Sequence, residues 1–178
     1  KGVLEYLSAV NALKKNLRIN AEFLLIGGAY PSNPNKIDEE WLKGHNPINP
    51  NLLLSKSLES KVRWLEHDND VIRYLNESDV FIYPTYYPEG LPRSLLEAMS
   101  CENTIITTNM PGCEDVVDGS NGFLVDPQNI EQLTKCIERF ITMDVSKFEK
   151  MKKRSRELVI QKFSDDVVFN QYKKIYDN

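Results

Sequence analysis

The feature that most constrains this chain is its regular alternation of short apolar runs with segments of helical period. Runs such as Phe23-Leu24-Leu25-Ile26 and Val80-Phe81-Ile82-Tyr83 are stopped by Gly27 and Pro84, as expected of strands buried on both faces. The strands read as Ala21 to Ile26, Val62 to Leu65, Val80 to Tyr83, Thr104 to Thr107 and Gly122 to Val125. Between and around them the spacing predicts helices. Val3, Leu4, Leu7, Val10, Leu13 and Leu17 recur at three and four residues, one face of an amphipathic helix. Shorter helices are predicted over Val71 to Leu75, started by Asn69 or Asp70, from Pro92 onward, and over Cys113 to Val117. Three more follow at Ile130 to Thr142, Val145 to Lys162 and Asp165 to Tyr176. Pro31 to Pro50, with four prolines, reads as a loop carrying a helical turn or two around Ile37 to Leu42.

Helices that cross between neighbouring strands force parallel pairing with right-handed connections. The expected fold is therefore α/β, a Rossmann-like doubly wound parallel sheet flanked by helices. With no repeat and no low-complexity linker, residues 1–178 read as one domain. In such sheets ligands sit beyond the carboxyl ends of the strands, where loops enter helix N-termini.

Composition narrows the function. Against 22 Lys and Arg stand 26 Asp and Glu, a formal charge of -4, which opposes an electrostatic grip on nucleic acid. The apolar runs fall far short of the roughly 20 residues of a membrane span. Cys101, Cys113 and Cys136 share no C-x-x-C spacing, which suits idle thiols in a reducing compartment. His45 and His67 stand 22 residues apart without acidic or thiol partners at ligand spacing, so no metal site is expected. Asp68 and Asp70 read as helix-start residues. The chain begins Lys1-Gly2-Val3, so it is read as a piece of a longer protein.

The stretch that carries chemistry is Tyr83-Pro84-Thr85-Tyr86-Tyr87-Pro88-Glu89-Gly90-Leu91-Pro92-Arg93-Ser94-Leu95-Leu96-Glu97-Ala98-Met99. Pro92 suits the first helical position, where a missing N–H costs nothing. The N–H groups of Arg93 and Ser94, with the helix dipole, make a place for an anion such as phosphate. Glu89 precedes that place, and Glu97 lies about 7 to 8 Å further along the axis from Pro92. Two carboxylates flanking a positive helix end match a ligand with hydroxyls at both ends and a diphosphate between them, as in a nucleotide sugar. The same residues also permit a plainer reading: Glu97 as a solvated residue on a helix whose Leu95, Leu96 and Met99 face the core, and Glu89 as an ordinary loop acid.

Glu89 and Glu97, seven residues between them, resemble the Glu-x7-Glu motif of retaining family 4 glycosyltransferases with the GT-B fold. Ile105 to Cys113, Val117 to Val125 and the Lys1-Gly2 pair also match that family, in order and over nearly the whole chain. The resemblance implies the C-terminal, donor-binding half of a GT-B enzyme, whose acceptor-binding N-terminal domain lies outside these residues. It implies that Glu89 contacts the donor sugar and shapes charge around the reacting carbon, and that Glu97 binds the ribose hydroxyls. Backbone N–H groups of Gly90, Leu91, Arg93 and Ser94 would serve the sugar and phosphates, Lys1 the diphosphate, and the stretch at Arg63 the nucleotide base. Pro92 departs from the family, many members of which carry Gly there, and removes one donor.

The implied reaction is metal-free transfer with retention, without Glu89 as a covalent nucleophile and without a cofactor. Glycoside hydrolysis, which also uses two carboxylates, is opposed by the phosphate site between them. The form of the motif most resembles bacterial enzymes of capsule, O-antigen or lipopolysaccharide synthesis. These use UDP-sugars, often N-acetylated, and undecaprenyl-diphosphate-linked acceptors at the cytoplasmic membrane face. Lys147, Lys150, Lys152, Lys153, Arg154 and Arg156 form a basic helix that is either a solvated face or a peripheral membrane contact. Trp41 and Trp64 read as anchors sooner than stacking platforms. The alternatives are a non-catalytic nucleotide-binding or regulatory module, weakened because the first strand closes on Ile26-Gly27-Gly28 without acids, and a GT-B sugar-nucleotide epimerase.

Overall fold

The strand and helix alternation appears in the computed structural model, which describes residues 2–16, 20–27, 49–65 and 68–177. They form two compact units, one within Val3–Val71 and one made of Gly2 and the chain from Ile72 onward.

In the first unit, α1 (Val3–Asn16) buries Tyr6, Leu7, Ala9, Val10 and Leu13. The buried stripe is thus turned slightly from the expected one: Leu4 is 39% exposed and Tyr6 takes its place in the core. The Tyr6 hydroxyl donates to the Leu24 carbonyl at 3.1 Å, tying α1 to β1 (Leu24–Ile26). β1 pairs in parallel with β2 (Arg63–Leu65). Between them stands α2 (Pro50–Ser60), a helix not expected from the sequence. Its start is nonetheless regular: Asn49 accepts the Asn51 N–H at 2.9 Å and Pro50 opens the first turn, where proline costs no hydrogen bond. It ends on Lys61 in the left-handed region, φ 54°. Trp64 is an anchor, its indole N–H donating to the Gly27 carbonyl at 2.9 Å.

In the second unit, β3 (Val80–Tyr83), β4 (Thr104–Thr108) and β5 (Gly122–Val125) form a parallel sheet in sequence order. α3 (Val71–Glu77) leads into β3, and α4 (Arg93–Ser100) crosses from β3 to β4. A 3₁₀ turn, Glu114–Val116, stands where a short helix was expected. α5 (Ile130–Ile141), α6 (Val145–Phe163) and α7 (Asp165–Tyr176) follow within a residue of their expected bounds. The α/β class with parallel strands is as expected, although the strands hydrogen-bond as a pair and a triplet.

The core of this unit sits around β4, buried along its length, and takes Leu95, Ala98 and Met99 from α4, Leu133 and Ile137 from α5, and Leu158 from α6. Each large apolar side chain buried there contributes about 1.5–3 kcal/mol. α4 is thereby fixed by the i, i+3, i+4 face of Leu95, Ala98 and Met99, which sets where its N-terminus points. Among the described residues no helix is long and apolar enough to cross a membrane. Lys152, Arg154 and Arg156 of the basic cluster serve the fold, contacting Asp79, Asp118 and the Ser100 carbonyl.

Candidate functional site

The segment from Pro84 to Pro92 leaves β3 and enters α4, and β4 holds its beginning. Thr107 Oγ1 donates to the Tyr83 carbonyl at 2.8 Å, and Thr108 Oγ1 to the Thr85 carbonyl at 2.7 Å. Two glycines let other backbone come close. Gly2, at φ +72°, lies so near Pro84 that a Cβ would stand 1.9 Å from the Pro84 carbonyl oxygen. Gly112, at φ +81°, lies beneath the motif, where a Cβ would stand 2.4 Å from the Gly90 oxygen and 2.8 Å from that of Glu89. At both places only glycine combines the left-handed backbone with the space. The Pro111-Gly112-Cys113 turn therefore props the backbone of Glu89 and Gly90 from below.

The Glu89 side chain is half-buried and its Oε2 accepts the Tyr83 hydroxyl at 2.9 Å. Burial, and then the neighbouring Glu89 charge, push the Tyr83 phenol above its ordinary pKa, so it is the donor at any physiological pH. Cys113 is buried nearby. Burial raises its pKa, with the adjacent Thr107 hydroxyl working the other way and Glu89 and Asp115 adding to the rise, and it stays a neutral thiol.

α4 begins at Arg93, and Pro92 occupies the cap position with φ -68° and ψ 122°. It was expected one place later; the extended ψ puts it outside the helix, and its missing N–H is harmless in either position. Among the described residues no side chain caps this end. The Leu95 N–H reaches the Pro92 carbonyl at 3.1 Å, while Arg93 and Ser94 carry the first N–H groups of the helix, which lack intrahelical acceptors by geometry. Glu97 lies beside an open groove of about 220 Å³ lined also by Ile72, Arg93, Leu96, Ser100 and Cys101. It pairs with Arg93, which is 91% exposed and 3.9 Å away, an interaction worth little in water.

The structure thus gathers Glu89, Gly90, Leu91, Arg93, Ser94 and Glu97 on one loop and the helix it enters. Arg63 belongs to the other unit, where it pairs with Glu22 at 3.3 Å. Lys1, Trp41, His45, His67 and the turn around Ile37 to Leu42 lie outside the described residues. Asp68 does stand at a helix start, accepting the Asp70 N–H at 2.9 Å. Among the described residues no three His, Cys, Asp or Glu side chains converge as metal ligands. Sequence reasoning missed Tyr83 and Gly112. A polar aromatic residue ending an apolar strand, six residues before Glu89, and a Pro-Gly pair after the next strand were the available signals.

Chemically, the site offers helix-end N–H donors for an anion, with one carboxylate before them and one beyond. Comparison with known proteins identifies the family. The family model described as glycosyl transferases group 1 matches residues 1–158. A capsular polysaccharide biosynthesis glycosyltransferase, CapM, of Staphylococcus aureus is 32% identical over 89% of this chain and 38% of its own length. A Campylobacter jejuni enzyme named N,N'-diacetylbacillosaminyl-diphospho-undecaprenol alpha-1,3-N-acetylgalactosaminyltransferase is 24% identical over 99% of the chain and 41% of its own length. The chain thus spans about two fifths of the length of these curated relatives. The same fold occurs in a glycosyltransferase of Rickettsia africae, TM-score 0.79 at 23% identity over 99% of this chain and 44% of that one. It recurs in the C-terminal domain of LpcC, a group 1 glycosyl transferase of Francisella tularensis, TM-score 0.70 at 21% identity over 93% and 80%. Anabaena HepE, solved with UDP and glucose, scores 0.66 at 18% identity over 96% and 52%.

Proposed function

Because the chain belongs to the group 1 glycosyl transferases, we propose that it is the donor-binding domain of a retaining enzyme that moves a sugar from a UDP-sugar to a lipid-linked glycan. The observation that carries this reading is the placement of Glu89, propped by Gly112, just before the uncapped N-terminus of α4, with Glu97 on the helix beyond it. The diphosphate lies at that helix end, on the N–H groups of Arg93 and Ser94, with those of Gly90 and Leu91 toward the sugar. Glu97 takes the ribose hydroxyls. Lys1, which precedes Gly2 in sequence, supplies positive charge to the diphosphate.

In the transfer step the bond between the anomeric carbon and the phosphate oxygen breaks and its electron pair stays on the phosphate. The acceptor oxygen bonds the same face of the carbon, and its proton passes to the departing phosphate. The negative charge of Glu89 favours the oxocarbenium-like centre between them, and the helix end and Lys1 stabilise the leaving group without a metal. The Campylobacter relative's name supports an N-acetylated sugar and an undecaprenyl-linked acceptor, and that of the Staphylococcus relative supports capsule synthesis. An acceptor of that kind places the reaction at the cytoplasmic face of the membrane, which the intact protein would touch peripherally.

Calorimetry of the intact protein with UDP, GDP and ADP tests this reading. Selective UDP binding is expected, weakened about tenfold in Glu97→Ala, the worth of a charge-assisted hydrogen bond. A folded protein that binds none of the three nucleotides sinks the proposal. Release of UDP from UDP-sugars only when a lipid-linked acceptor is present separates transfer from epimerisation.

A further inference from the structure

We propose that Tyr83 is a positioning residue for transfer, its hydroxyl holding the Glu89 carboxylate in the one orientation in which it faces the reacting sugar. The inference rests on the reading of Glu89 given above and adds a residue to it. Tyr83 is the last residue of β3, and its backbone is fixed twice over. It pairs in register with Thr107 of β4, and its carbonyl accepts the Thr107 hydroxyl at 2.8 Å. Its ring lies near-parallel to that of Phe81 two residues earlier, 12° between planes and 6.2 Å between centroids. Glu89, by contrast, is carried on a loop, and side chains on loops owe their precision to what braces them. The backbone of Glu89 is braced by Gly112, a contact made to the main chain and not to the carboxylate. The Tyr83 hydroxyl, 2.9 Å from Oε2, connects it to the strand.

A carboxylate that acts through the field it casts on a developing charge must be held before the reaction, not recruited during it. Displacement by about an ångström can lower a rate on the order of a hundredfold. The effect therefore belongs to kcat, because Tyr83 grips Glu89 and not the nucleotide.

The test uses the full-length enzyme and Tyr83→Phe, which keeps the ring and removes only the hydroxyl. UDP release is followed with whichever of UDP-N-acetylgalactosamine, UDP-N-acetylglucosamine and UDP-galactose the parent enzyme turns over fastest. Crystal structures of parent and variant with UDP are compared. A fall in kcat of about 10- to 100-fold is expected, with donor KM, UDP affinity and melting midpoint held, and with the Glu89 side chain displaced or split between rotamers. Placed in a Glu89→Gln background the same change should cost nothing further, since residues acting as one unit are not additive. An unchanged kcat, an undisturbed Glu89 side chain, or an equal loss in both backgrounds overturns the role of Tyr83. So does a rate loss matched by an equal loss of UDP affinity. If Glu89→Gln itself turns over at the parent rate, the reading of Glu89 fails, and that result is distinct from a failure of Tyr83 alone.

Discussion

The two ends of α4 are built for opposite purposes. At the C-terminal end the carbonyls are taken. The Cys101 N–H donates to Glu97 and Ala98, the buried Asn103 donates from Nδ2 to Ala98 at 3.2 Å and to Leu75 at 2.8 Å, and Arg156 donates to Ser100. At the N-terminal end no side chain among the described residues caps the helix. Yet the larger depression, about 430 Å³, lies at the C-terminal end, lined by Ser100, Cys101, Glu102, Lys152 and Arg156 among others. Its two cations already have partners, Lys152 at Asp79 and Arg156 at Ser100. Volume is therefore a poor guide to function here. Donors left over by the geometry of a helix start, next to a braced carboxylate, are a better one.

The comparison breaks most sharply at Gly112. Alanine there must push on the carbonyls of Gly90 and Glu89 while adopting φ +81°. Gly112→Ala is expected to lower kcat/KM of the intact enzyme on the order of a hundredfold, and to lower its melting midpoint as well. A variant with the parent rate would mean that the turn after β4 does not set the position of Glu89.

At the other end Asn103→Ala should do the reverse. Asn103 is fully buried and donates across to α3 and back to α4, while its Oδ1 meets no partner among the described residues. Losing its hydrogen bonds should cost about 2 kcal/mol of stability in denaturant titrations, because two buried carbonyls lose a donor. Turnover measured well below the transition should be unchanged. A large loss of rate without loss of stability would erase the division between the two ends.

How much of this was legible follows from which interactions are local. The strands β3 and β5 and the helices α5 and α6 were readable because the signals lie within each segment: Asn129 caps α5 and Asp144 caps α6. The Glu89 and Glu97 pair was readable because one loop and one helix carry it. α2 was missed because Leu52, Leu53 and Leu54 are adjacent and mask the helical period. Only Leu53 of the three is buried, and the Asn49-Pro50 start was the signal that could have found it. Tyr83 and Gly112 could not be read from spacing, since their partners depend on the path of the loop and on a neighbouring strand. The basic run on α6 reads in sequence as either a solvated face or a membrane contact. Folding divides it, because positions 152 and 156 share a helix face toward α4's end whereas 154 points elsewhere.

That last residue offers the smallest and most specific test of how the supporting end is held. Arg154 reaches the Asp118 carboxylate at 2.8 Å, fastening α6 to the turn before β5. Burial works against ionisation of Asp118, but it is outweighed by the Ser120 N–H, the Arg154 guanidinium and the Asn121 N–H, which together hold the carboxyl below its ordinary 3.8. A group whose pKa is lower folded than unfolded stabilises the fold above the unfolded value, and that contribution is lost as pH falls through the folded value. Asp118→Asn should therefore lower the melting midpoint slightly at pH 7, the exposed pair being largely screened. Parent and variant should converge as the pH drops below 3.8. A gap of constant size across that range would mean that the turn is held by its neutral hydrogen bonds alone. In either case turnover at pH 7 should match the parent, because nothing at Asp118 touches the end of α4 where Glu89 sits.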